Sequence, residues 1–528
     1  MLRAKQISRV FREHASSAAA QQTIQKPTEL GDCPGKIENG SNEWTNAKPF
    51  DSIPGPKPGL VLGYYSHFLP KLGKYYGMEQ VQVHISLNKE YGNIVRLRGL
   101  KTRKDIICCY DPKDIETILR TEGPWPMRDV LHSIKYYRTQ HRSELFQGYV
   151  GLFASDGEVW HKARSVLNSI LMQPSVVSHY IPQMNSVGED FIHRMRHLAA
   201  MDPNGEMPET FQNEIAKWAI ESVGVIALDC RFGMLDRNIS SISEIQHAIN
   251  DICLLFSLFY KIDVVPNLSL LVSTPMWRKH MNTMDRICTF VQKELNKTMT
   301  RIRKEGNNDT SIVEKLLNID PKTVFVNAMD VIIGGTDTTS RTMGNLLYLL
   351  AKHPDVQEKL REEVRRVVPT KQTAVTKEKL NNLPYLRAVI KESMRHTPII
   401  LSLVRKVSKD LVLSGYQIPK GTDIMLEQIP LAWNEKYFTD PKQFKPERWM
   451  RSTESNGLKP NAWVFLPFGF GPRSCVGRRL ASLELETLLA KVVRNFKLEW
   501  PHGEIQYKYE LVYGIDSPLK IRVTEVEE

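Results

Sequence analysis

The sequence predicts one large domain that is mainly α-helical with a minor β-sheet region. From about residue 155 onward, the apolar residues recur mostly at helical spacing. One helix is predicted from Pro321 to about His353, and its stretch VFVNAMDVIIGG is apolar on all sides, which indicates burial. The 528 residues, 41% of them hydrophobic, are enough for a large core. Because no repeat or linker interrupts residues 53–528, we expect a single domain there.

Residues 1–30 have the composition of a mitochondrial transit peptide. They are basic and rich in Ser and Ala, Glu13 is the single acid among the first 28 residues, and Ile7, Val10 and Phe11 lie at helical spacing. No apolar stretch near the terminus reaches the roughly 18 residues that span a bilayer, which disfavours a secretory signal or a membrane anchor. An ordinary disordered terminus is the alternative to mitochondrial import.

The following segments predict a linker, a joint and a small sheet. Residues 31–52 are polar and are predicted to be a flexible linker. The three prolines of IPGPKPG, residues 53–59, fix φ and remove amide donors, so a stiff joint is expected where the folded domain begins. NIVRLRG and KDIICCY predict two short strands joined by a turn, and DPKDIETILR predicts a capped helix. SDGEVWHKARSVLNSIL, residues 155–171, predicts another capped helix.

The stretch FSLFYKIDVVPNLSLLVSTPMW, from Phe256 to Trp277, is apolar and aromatic but is interrupted by Pro266 and Pro275. Because prolines break a core helix, an exposed hydrophobic loop pair is predicted here. Such a pair is expected to dip into a membrane face and to border a substrate entrance.

The net charge and the cysteine content restrict the partners and the compartment expected for the protein. The net charge of +12 favours acidic partners, which include nucleic acid, an anionic membrane and an acidic protein. The seven cysteines are scattered, odd in number and lack zinc-site spacing, so a reducing compartment without a disulfide framework is expected.

The segment FGFGPRSCVGRR, residues 468–479, predicts a site around one cysteine. Gly469 and Gly471 permit a tight turn with close backbone approach, and Cys475 lies where a helix is predicted to begin. The positive end of a helix dipole favours thiolate over thiol, so Cys475 is a candidate metal ligand or nucleophile. A single thiolate with an arginine, Arg473, two residues before it suits a haem whose iron binds sulfur and whose propionate pairs with that arginine. A nucleophile served by a distant histidine remains open at this point.

Phe468, Gly469, Gly471, Arg473, Cys475 and Gly477 together resemble the haem-binding signature of the cytochrome P450 family. The resemblance covers about residues 53–528. It implies a single cytochrome P450 catalytic domain there, with haem b held between the long central helix and the cysteine loop. Cys475 would be the axial ligand of the haem iron.

Glu392 and Arg395 resemble the ExxR motif of that family, which an arginine such as Arg448, in the segment PERW, is expected to join. The motif implies a structural role. Taken alone, the pair would be read as solvated charge on a helix face.

The segment GGTDTT, residues 334–339, is similar to the oxygen-activation motif of the family. The resemblance implies that Gly334 leaves room for dioxygen and that Asp337 and Thr338 deliver protons. The local alternative is that the hydroxyls bond back to their own helix.

Trp160 and Arg164 match the family's WxxxR helix over the haem, and Arg405 matches an arginine that contacts a propionate. With Arg473 they imply three guanidinium groups for two carboxylates. A core tryptophan and surface arginines are the alternative.

Four basic residues, Arg387, Lys391, Arg478 and Arg479, resemble the positions at which mitochondrial members dock a [2Fe-2S] ferredoxin of the adrenodoxin type, itself reduced by its reductase. Solvated surface charges are the alternative. Nothing in the chain resembles a fused reductase, so electrons are expected from a separate protein, and no nucleic-acid partner is expected.

The resemblance implies a haem-thiolate monooxygenase that uses dioxygen to oxidise a hydrophobic small molecule. The segment AKPFDSIPGPKPG and the overall layout look most like the insect mitochondrial family 12, which is associated with xenobiotic oxidation. The expected location is the matrix face of the inner mitochondrial membrane, with peripheral attachment. The alternatives are an ecdysteroid or steroid hydroxylase, a haem-thiolate isomerase or dehydratase that needs no dioxygen, and a non-enzymatic gas-binding protein.

Overall fold

The fold was analysed in a computed structural model that describes residues 40–60, 62–99, 104–236, 243–265, 269, 272–450 and 461–528. The predicted transit peptide, residues 1–30, and the first part of the predicted linker, residues 31–39, lie outside the described residues.

Helices make up most of the described chain. The α-helices, in chain order, are α1 Gly40–Asn46, α2 Gln80–Tyr91, α3 Pro112–Thr121, α4 His132–Tyr136, α5 Ser143–Phe146, α6 Gly151–Ala154, α7 Gly157–Leu171, α8 Pro174–His179, α9 Ile181–Ala200, α10 Phe211–Leu228, α11 Glu244–Phe259, α12 Pro275–Glu305, α13 Ile312–Ile319, α14 Pro321–Lys352, α15 Pro354–Val367, α16 Lys377–Asn381, α17 Pro384–His396, α18 Ile429–Ala432 and α19 Arg478–Asn495. The predicted mainly α fold is confirmed.

The strands form small sheets, as predicted. They are β1 Ile94–Leu97, β2 Ile106–Cys109, β3 Ser402–Lys406, β4 Leu411–Leu413, β5 Tyr416–Ile418, β6 Asp423–Glu427, β7 Phe496–Glu499, β8 Tyr507–Glu510, β9 Val512–Ile515 and β10 Arg522–Glu525. The largest sheet has the order β1-β2-β6-β3, in which β2 and β6 run parallel and the other neighbours antiparallel. The predicted pairing of β1 with β2 is present, and it aligns the backbone of Ile94 with that of Cys109.

Helix α14 crosses the domain and organises the helices around it. Its 32 residues span about 48 Å at 1.5 Å per residue. Asp320 caps its first turn by accepting a hydrogen bond from the amide of Lys322. The helix is buried along most of its length and packs against α10, α12 and α17. The predicted span and the predicted burial of this helix are both confirmed.

The folded part begins before residue 53, so residues 40–52 are not a free linker. The amide of Lys48 donates to the carbonyl of Gly415 at 2.9 Å, which adds this segment to the edge of the β4–β5 hairpin. Asp51 pairs with Arg96 at 2.6 Å. The edge of the β4–β5 hairpin offers backbone groups that are not paired within the hairpin. Hydrogen bonds to these groups hold the segment around Lys48 in place.

The proline-rich joint lies along β1. The amide of Arg96 donates to the carbonyl of Pro54 at 2.8 Å. A Cβ atom on Gly55 would lie 2.1 Å from the carbonyl oxygen of Arg96, so the close approach of the two backbones requires glycine.

The predicted loop pair between Phe256 and Trp277 is wrong for its aromatic half. Helix α11 runs to Phe259 and continues as a wider helical turn over Tyr260–Val264, and the side chains of Phe256, Phe259 and Ile262 are buried. The prolines do not break a core helix, since Pro275 occupies the first position of α12, where no amide donor is needed. Pro266 lies outside the described residues.

Three valines near this segment, Val264, Val265 and Val272, are exposed. Within the described part of the chain, none of the helices is both long enough and apolar enough to cross a membrane. Peripheral membrane contact therefore stays a prediction.

Candidate functional site

The cysteine loop has the tight turn that its glycines predict. Gly469 and Gly471 both have φ of 70°, in the left-handed region. The amide of Cys475 donates to the carbonyl of Phe468 at 2.8 Å, which closes the loop. A Cβ atom on Gly471 would lie 2.7 Å from a carboxylate oxygen of Glu122, so only glycine fits there.

Cys475 lies three residues before the first residue of α19 and opens onto the space in front of its loop. Burial raises the pKa of its thiol, whereas the amides of Gly477 and Arg478 and the charge of Arg164 lower it, and the net shift is upward. The amides at the start of α19 thus favour the thiolate, as the sequence predicts, but burial outweighs them. A bound metal ion would supply the missing charge, because metal coordination deprotonates a thiol.

The guanidinium of Arg473 is buried, and the protein itself already accepts most of its hydrogen bonds. Its guanidinium donates to the carbonyls of Pro126 and Ser155, both at 2.9 Å, and to the carboxylate of Asp156 at 2.5 Å. The same group stacks over the ring of Trp160, with its carbon 4.1 Å from the ring centre. Its Nη1 is buried and has no partner among the described residues.

Arg405 extends from β3 toward the same region. Its Nε donates to Glu122 at 2.5 Å, and its Nη2 is buried without a partner in the part of the chain that the structure describes. Burial and the neighbouring Arg128 lower the pKa of Arg473 to about 9, and Arg405 adds to that shift. The predicted pairing of Arg405 and Arg473 in one site is thus present in the fold.

Sequence reasoning missed Arg128. Its Nη2 donates to the carbonyl of Phe153 at 3.2 Å, and its buried Nε lacks a partner within the described ranges. Burial and the charge of Arg405 lower its pKa to about 10. A lone arginine in EGPWPMRD carries no periodic signal, so only the folded chain reveals its place.

The start of α7 shows how this region differs from the predicted capped helix. Asp156 is the residue before α7, yet its side chain does not cap that helix. Its carboxylate accepts instead from the backbone amides of Arg128 and Asp129 and from Arg473. Arg164, on α7, donates to Asn168 at 2.8 Å and is close enough to Cys475 for their charges to interact.

The charges of this cluster fit a dianionic group. Four guanidinium groups, those of Arg128, Arg164, Arg405 and Arg473, lie near the carboxylates of Glu122, Asp156 and Asp330, and Asp330 already pairs with a fifth arginine, Arg138. At least two positive charges are left uncompensated, and three buried N–H groups point to no described acceptor. Because buried charges are costly unless paired, the cluster fits a ligand with two carboxylates, as haem has.

The oxygen-motif residues lie on α14 above this region, but they do not form a joined pair. The hydroxyl of Thr338 donates to the carbonyl of Gly334 at 2.6 Å. Asp337 is buried and accepts from Arg341 at 2.8 Å and from the thiol of Cys253 at 3.7 Å. The two side chains of the predicted proton-delivery pair therefore contact different neighbours.

Gly334 is needed for packing against the segment before α7. A Cβ atom on Gly334 would lie 2.7 Å from the ring of Phe153. A mainly apolar cavity begins near Thr338 and runs between α14, α17 and the cysteine loop. Its lining includes Thr338, Met394, Ile399, Phe468 and Leu485.

The ExxR residues form a fully buried ion network. Arg395 donates two hydrogen bonds to Glu392, at 2.9 and 2.7 Å, and Arg448 donates a third at 3.0 Å. The indole of Trp449 and the amide of Lys445 also donate to Glu392. Burial would raise the pKa of Glu392, but these donors lower it below its ordinary value.

The predicted docking residues lie on two packed helices, α17 and α19. Lys391, Arg478 and Arg479 are exposed, and Arg387 is half-buried. Arg387 donates to Glu486 of α19 at 3.3 Å, and Lys391 is near the same carboxylate. Arg478 also lies over the ring of Phe468, 5.6 Å from its centre, at the edge of the cysteine loop.

Comparisons with known proteins agree with this geometry. A family model described as Cytochrome P450 matches residues 53–522. Probable cytochrome P450 12a5, mitochondrial, of Drosophila melanogaster is 37% identical over 500 residues, which cover 92% of each chain. Cytochrome P450 CYP12A2 of Musca domestica is 35% identical, covering 93% of this chain and 94% of its own. Cytochrome P450 12b1, mitochondrial, of Drosophila acanthoptera is 35% identical, covering 92% of each chain.

Replacing Glu392 by Gln is expected to destabilise the fold by about 3–5 kcal/mol at pH 7, because two buried arginines lose their counter-charge. The lowered pKa of Glu392 means that its contribution is present above the unfolded-state value of about 4.3 and is lost as the pH falls through the folded-state value. Urea unfolding of wild type and Glu392→Gln should therefore differ most at neutral pH and converge in acid. A surface control, Glu116→Gln, removes a half-buried carboxylate that pairs with the exposed Arg120, and it should change stability by less than about 1 kcal/mol. An equal gap at all pH values would contradict the role assigned to the charge.

Replacing Arg128 by Met is expected to weaken haem retention, because a buried guanidinium that would bind a haem carboxylate is lost. A hydrogen bond to a charged group contributes about 1.5–3 kcal/mol, so haem transfer to apomyoglobin should become about tenfold faster or more. Arg120→Met is the matched control, since Arg120 is exposed and pairs with Glu116. Equal transfer rates in the two variants would remove Arg128 from the haem site.

Proposed function

Because the chain belongs to the cytochrome P450 family and is therefore a monooxygenase with haem b as its cofactor, we propose a finer assignment. The enzyme acts in mitochondria, takes electrons from a [2Fe-2S] ferredoxin of the adrenodoxin type, and oxidises a hydrophobic small molecule. The observation that carries the proposal is the basic face formed by Arg387, Lys391, Arg478 and Arg479, beside the cysteine loop.

The basic face suits a transient acidic partner. Its residues come from α17 and α19, whose mutual packing is fixed in part by the contact between Arg387 and Glu486. Opposite charges steer encounter and orientation without requiring a large buried interface. Arg478 links this face to the loop that carries Cys475, so a docked donor would be close to the metal ligand.

The haem, when bound, supplies the iron at which dioxygen is activated. Cys475 would ligate that iron through its thiolate. Arg128, Arg405 and Arg473 would hold the two propionates through their unpaired N–H groups. The ring of Trp160 stacks against the guanidinium of Arg473 and holds it in one position. The guanidinium therefore does not have to be ordered when the cofactor binds.

Thr338 and Asp337 would have different roles in proton delivery. The Thr338 hydroxyl lies at the surface of the cavity, where it can hold a proton for the reacting oxygen. Asp337 lies behind it, paired with Arg341, on the side of α14 that faces α11. A proton would therefore pass across the helix from the Asp337 side to the Thr338 side.

The substrate is proposed to be hydrophobic, in the xenobiotic or steroid-like class, because the chain is similar to cytochromes P450 of the insect mitochondrial family 12. A mitochondrial location is supported by the composition of residues 1–30 and by two relatives whose names include "mitochondrial". Peripheral contact with the matrix face of the inner membrane would use the exposed valines between the end of α11 and the start of α12. An isomerase or dehydratase would have no use for the acid and alcohol of Asp337 and Thr338.

Replacing Thr338 by Ala is expected to leave haem and substrate binding intact but to divert reducing equivalents to hydrogen peroxide. The hydroxyl positions a proton and does not hold the fold. Thr336→Ala is the matched control, because Thr336 makes the same bond to the carbonyl four residues earlier without lining the cavity. The measurement is peroxide formed per electron pair consumed. Equal coupling in the two variants would return Thr338 to a purely structural role.

Replacing Lys391 by Glu is expected to reduce ferredoxin-driven turnover at least tenfold while turnover driven by added peroxide is retained. Peroxide bypasses the electron donor, so the comparison separates docking from chemistry. Rising salt should mimic the substitution, because surface fields are screened over about 8–10 Å at 0.1–0.15 M ionic strength. Lys89→Glu, an exposed lysine on α2, is the control. Turnover supported by a diflavin reductase but not by ferredoxin would overturn the proposed partner.

A further inference from the structure

A second cluster of potential metal ligands lies in the sheet region, apart from the cysteine loop. His84 of α2, Cys108 of β2 and Glu427 of β6 each offer one donor atom, and these atoms all lie within 4.8 Å of one another. All three residues are buried. We propose that this cluster is a structural zinc site.

The spacing of the donors fits tetrahedral coordination. With metal bonds of about 2.0–2.3 Å, ligand atoms in a tetrahedral zinc site lie about 3.3–3.7 Å apart. Nδ1 of His84 and Oε1 of Glu427 are 3.4 Å apart and are not hydrogen-bonded to each other. The sulfur of Cys108 lies within 4.8 Å of both atoms, so a rearrangement of this side chain would complete the set.

The donors have the orientation that a ligand set needs. Ser402 donates to the other carboxylate oxygen of Glu427 at 2.7 Å, so Oε1 is the free oxygen. That Oε1 is buried and has no hydrogen-bond partner among the residues described here. Gln80 lies 2.9 Å from Nε2 of His84, and a partner on that nitrogen directs Nδ1 to the metal, which would replace the present contact of Nδ1 with the hydroxyl of Tyr110.

The chemistry of the set favours zinc over harder cations. Magnesium and calcium prefer oxygen ligands, whereas zinc accepts a mixture of sulfur, nitrogen and oxygen. A thiolate and a carboxylate would together balance the double positive charge, so the buried site would be neutral overall. Binding releases two protons to solvent, that of the Cys108 thiol and that of the Glu427 carboxyl, whose pKa is raised by burial to about 8, and it involves no oxidation or reduction. The hydroxyl of Tyr110, 3.1 Å from Nδ1, is available as a fourth oxygen donor.

The site would join parts of the chain that are far apart in sequence. Helix α2 precedes the sheet, β2 is one of its inner strands, and β6 pairs with β2 in parallel. A metal that links three distant segments restricts the unfolded chain more than a local link does. The site would thus fasten α2 to the face of the sheet that bears Cys108.

The neighbouring Cys109 provides a matched control. It is buried on the same strand but packs into a different apolar cluster, together with Ile107 and Ile115. Replacing Cys109 by Ser therefore introduces the same chemical change on the opposite face of the sheet.

The test is the metal content of the full-length, haem-loaded enzyme expressed with added zinc and desalted against EDTA. Elemental analysis should give about one zinc per haem iron in wild type and in Cys109→Ser. Cys108→Ser and Glu427→Gln should each lose at least fivefold of that zinc while haem content shows that the chain has folded.

X-ray absorption at the zinc edge of the wild-type enzyme keeps the proposal testable if a variant fails to fold. The spectrum should show one sulfur ligand at about 2.3 Å and lighter ligands at about 2.0–2.2 Å. Wild-type enzyme with less than a tenth of a zinc per iron would overturn the proposal. So would zinc retained equally by Cys108→Ser and Glu427→Gln, or a spectrum without sulfur.

Discussion

The buried carboxylate of Glu392 is the interaction on which the region around the cysteine loop depends. Arg395 not only pairs with Glu392 but also donates to the carbonyls of Ala432, Pro441 and Gln443. Arg448 pairs with the same carboxylate and donates to the carbonyl of Thr439. Ala432 ends α18, and the other carbonyls belong to the irregular segment that follows, which forms neither helix nor sheet. The ion network satisfies them and thereby fixes the chain that leads to the cysteine loop.

Burying the charged groups of such a network costs free energy, and removing one member of the formed network destabilises the fold further. Desolvation of three charged groups opposes folding, and the gain comes only when every donor finds its acceptor. Glu392 accepts from both arginines, from Trp449 and from the amide of Lys445, so its oxygens are fully used. The network therefore mainly fixes the geometry of the surrounding chain. It stabilises the fold only when every donor has its acceptor.

The arginines near Cys475 differ from this network, because the described residues do not accept all of their hydrogen bonds. Arg405 and Arg473 each have a carboxylate partner, yet each also keeps a buried N–H group without a described acceptor. The free energy cost of those groups is recovered only when a dianionic ligand binds. Cofactor binding and stability of this region should thus be linked, because a ligand that binds only the folded state stabilises that state.

The sequence predicted the elements whose signal is local. The continuous apolar run predicted α14, the paired glycines predicted the turn before Cys475, and the spacing of Glu392 and Arg395 predicted one helix face. It did not predict Arg128, whose role depends on how α6 and α7 bring Asp156 beside it. It also misjudged Phe256 and Phe259, because an apolar helix that ends near a proline looks like a loop until its packing partners are known.

The arrangement on α14 shows why neighbouring residues of one motif need not share one task. Successive residues of a helix are rotated by about 100°, so Asp337 and Thr338 cannot face the same neighbours. Asp337 is held by Arg341 and Cys253 in the protein interior, whereas Thr338 borders the cavity and bonds to Gly334. The helix thus separates a fixed internal charge from the reaction space and leaves a hydroxyl on the reactive side. In the proposed route, a proton from Asp337 would therefore have to pass around the helix to Thr338, either by a change of the Asp337 side-chain rotamer or through a water beside it.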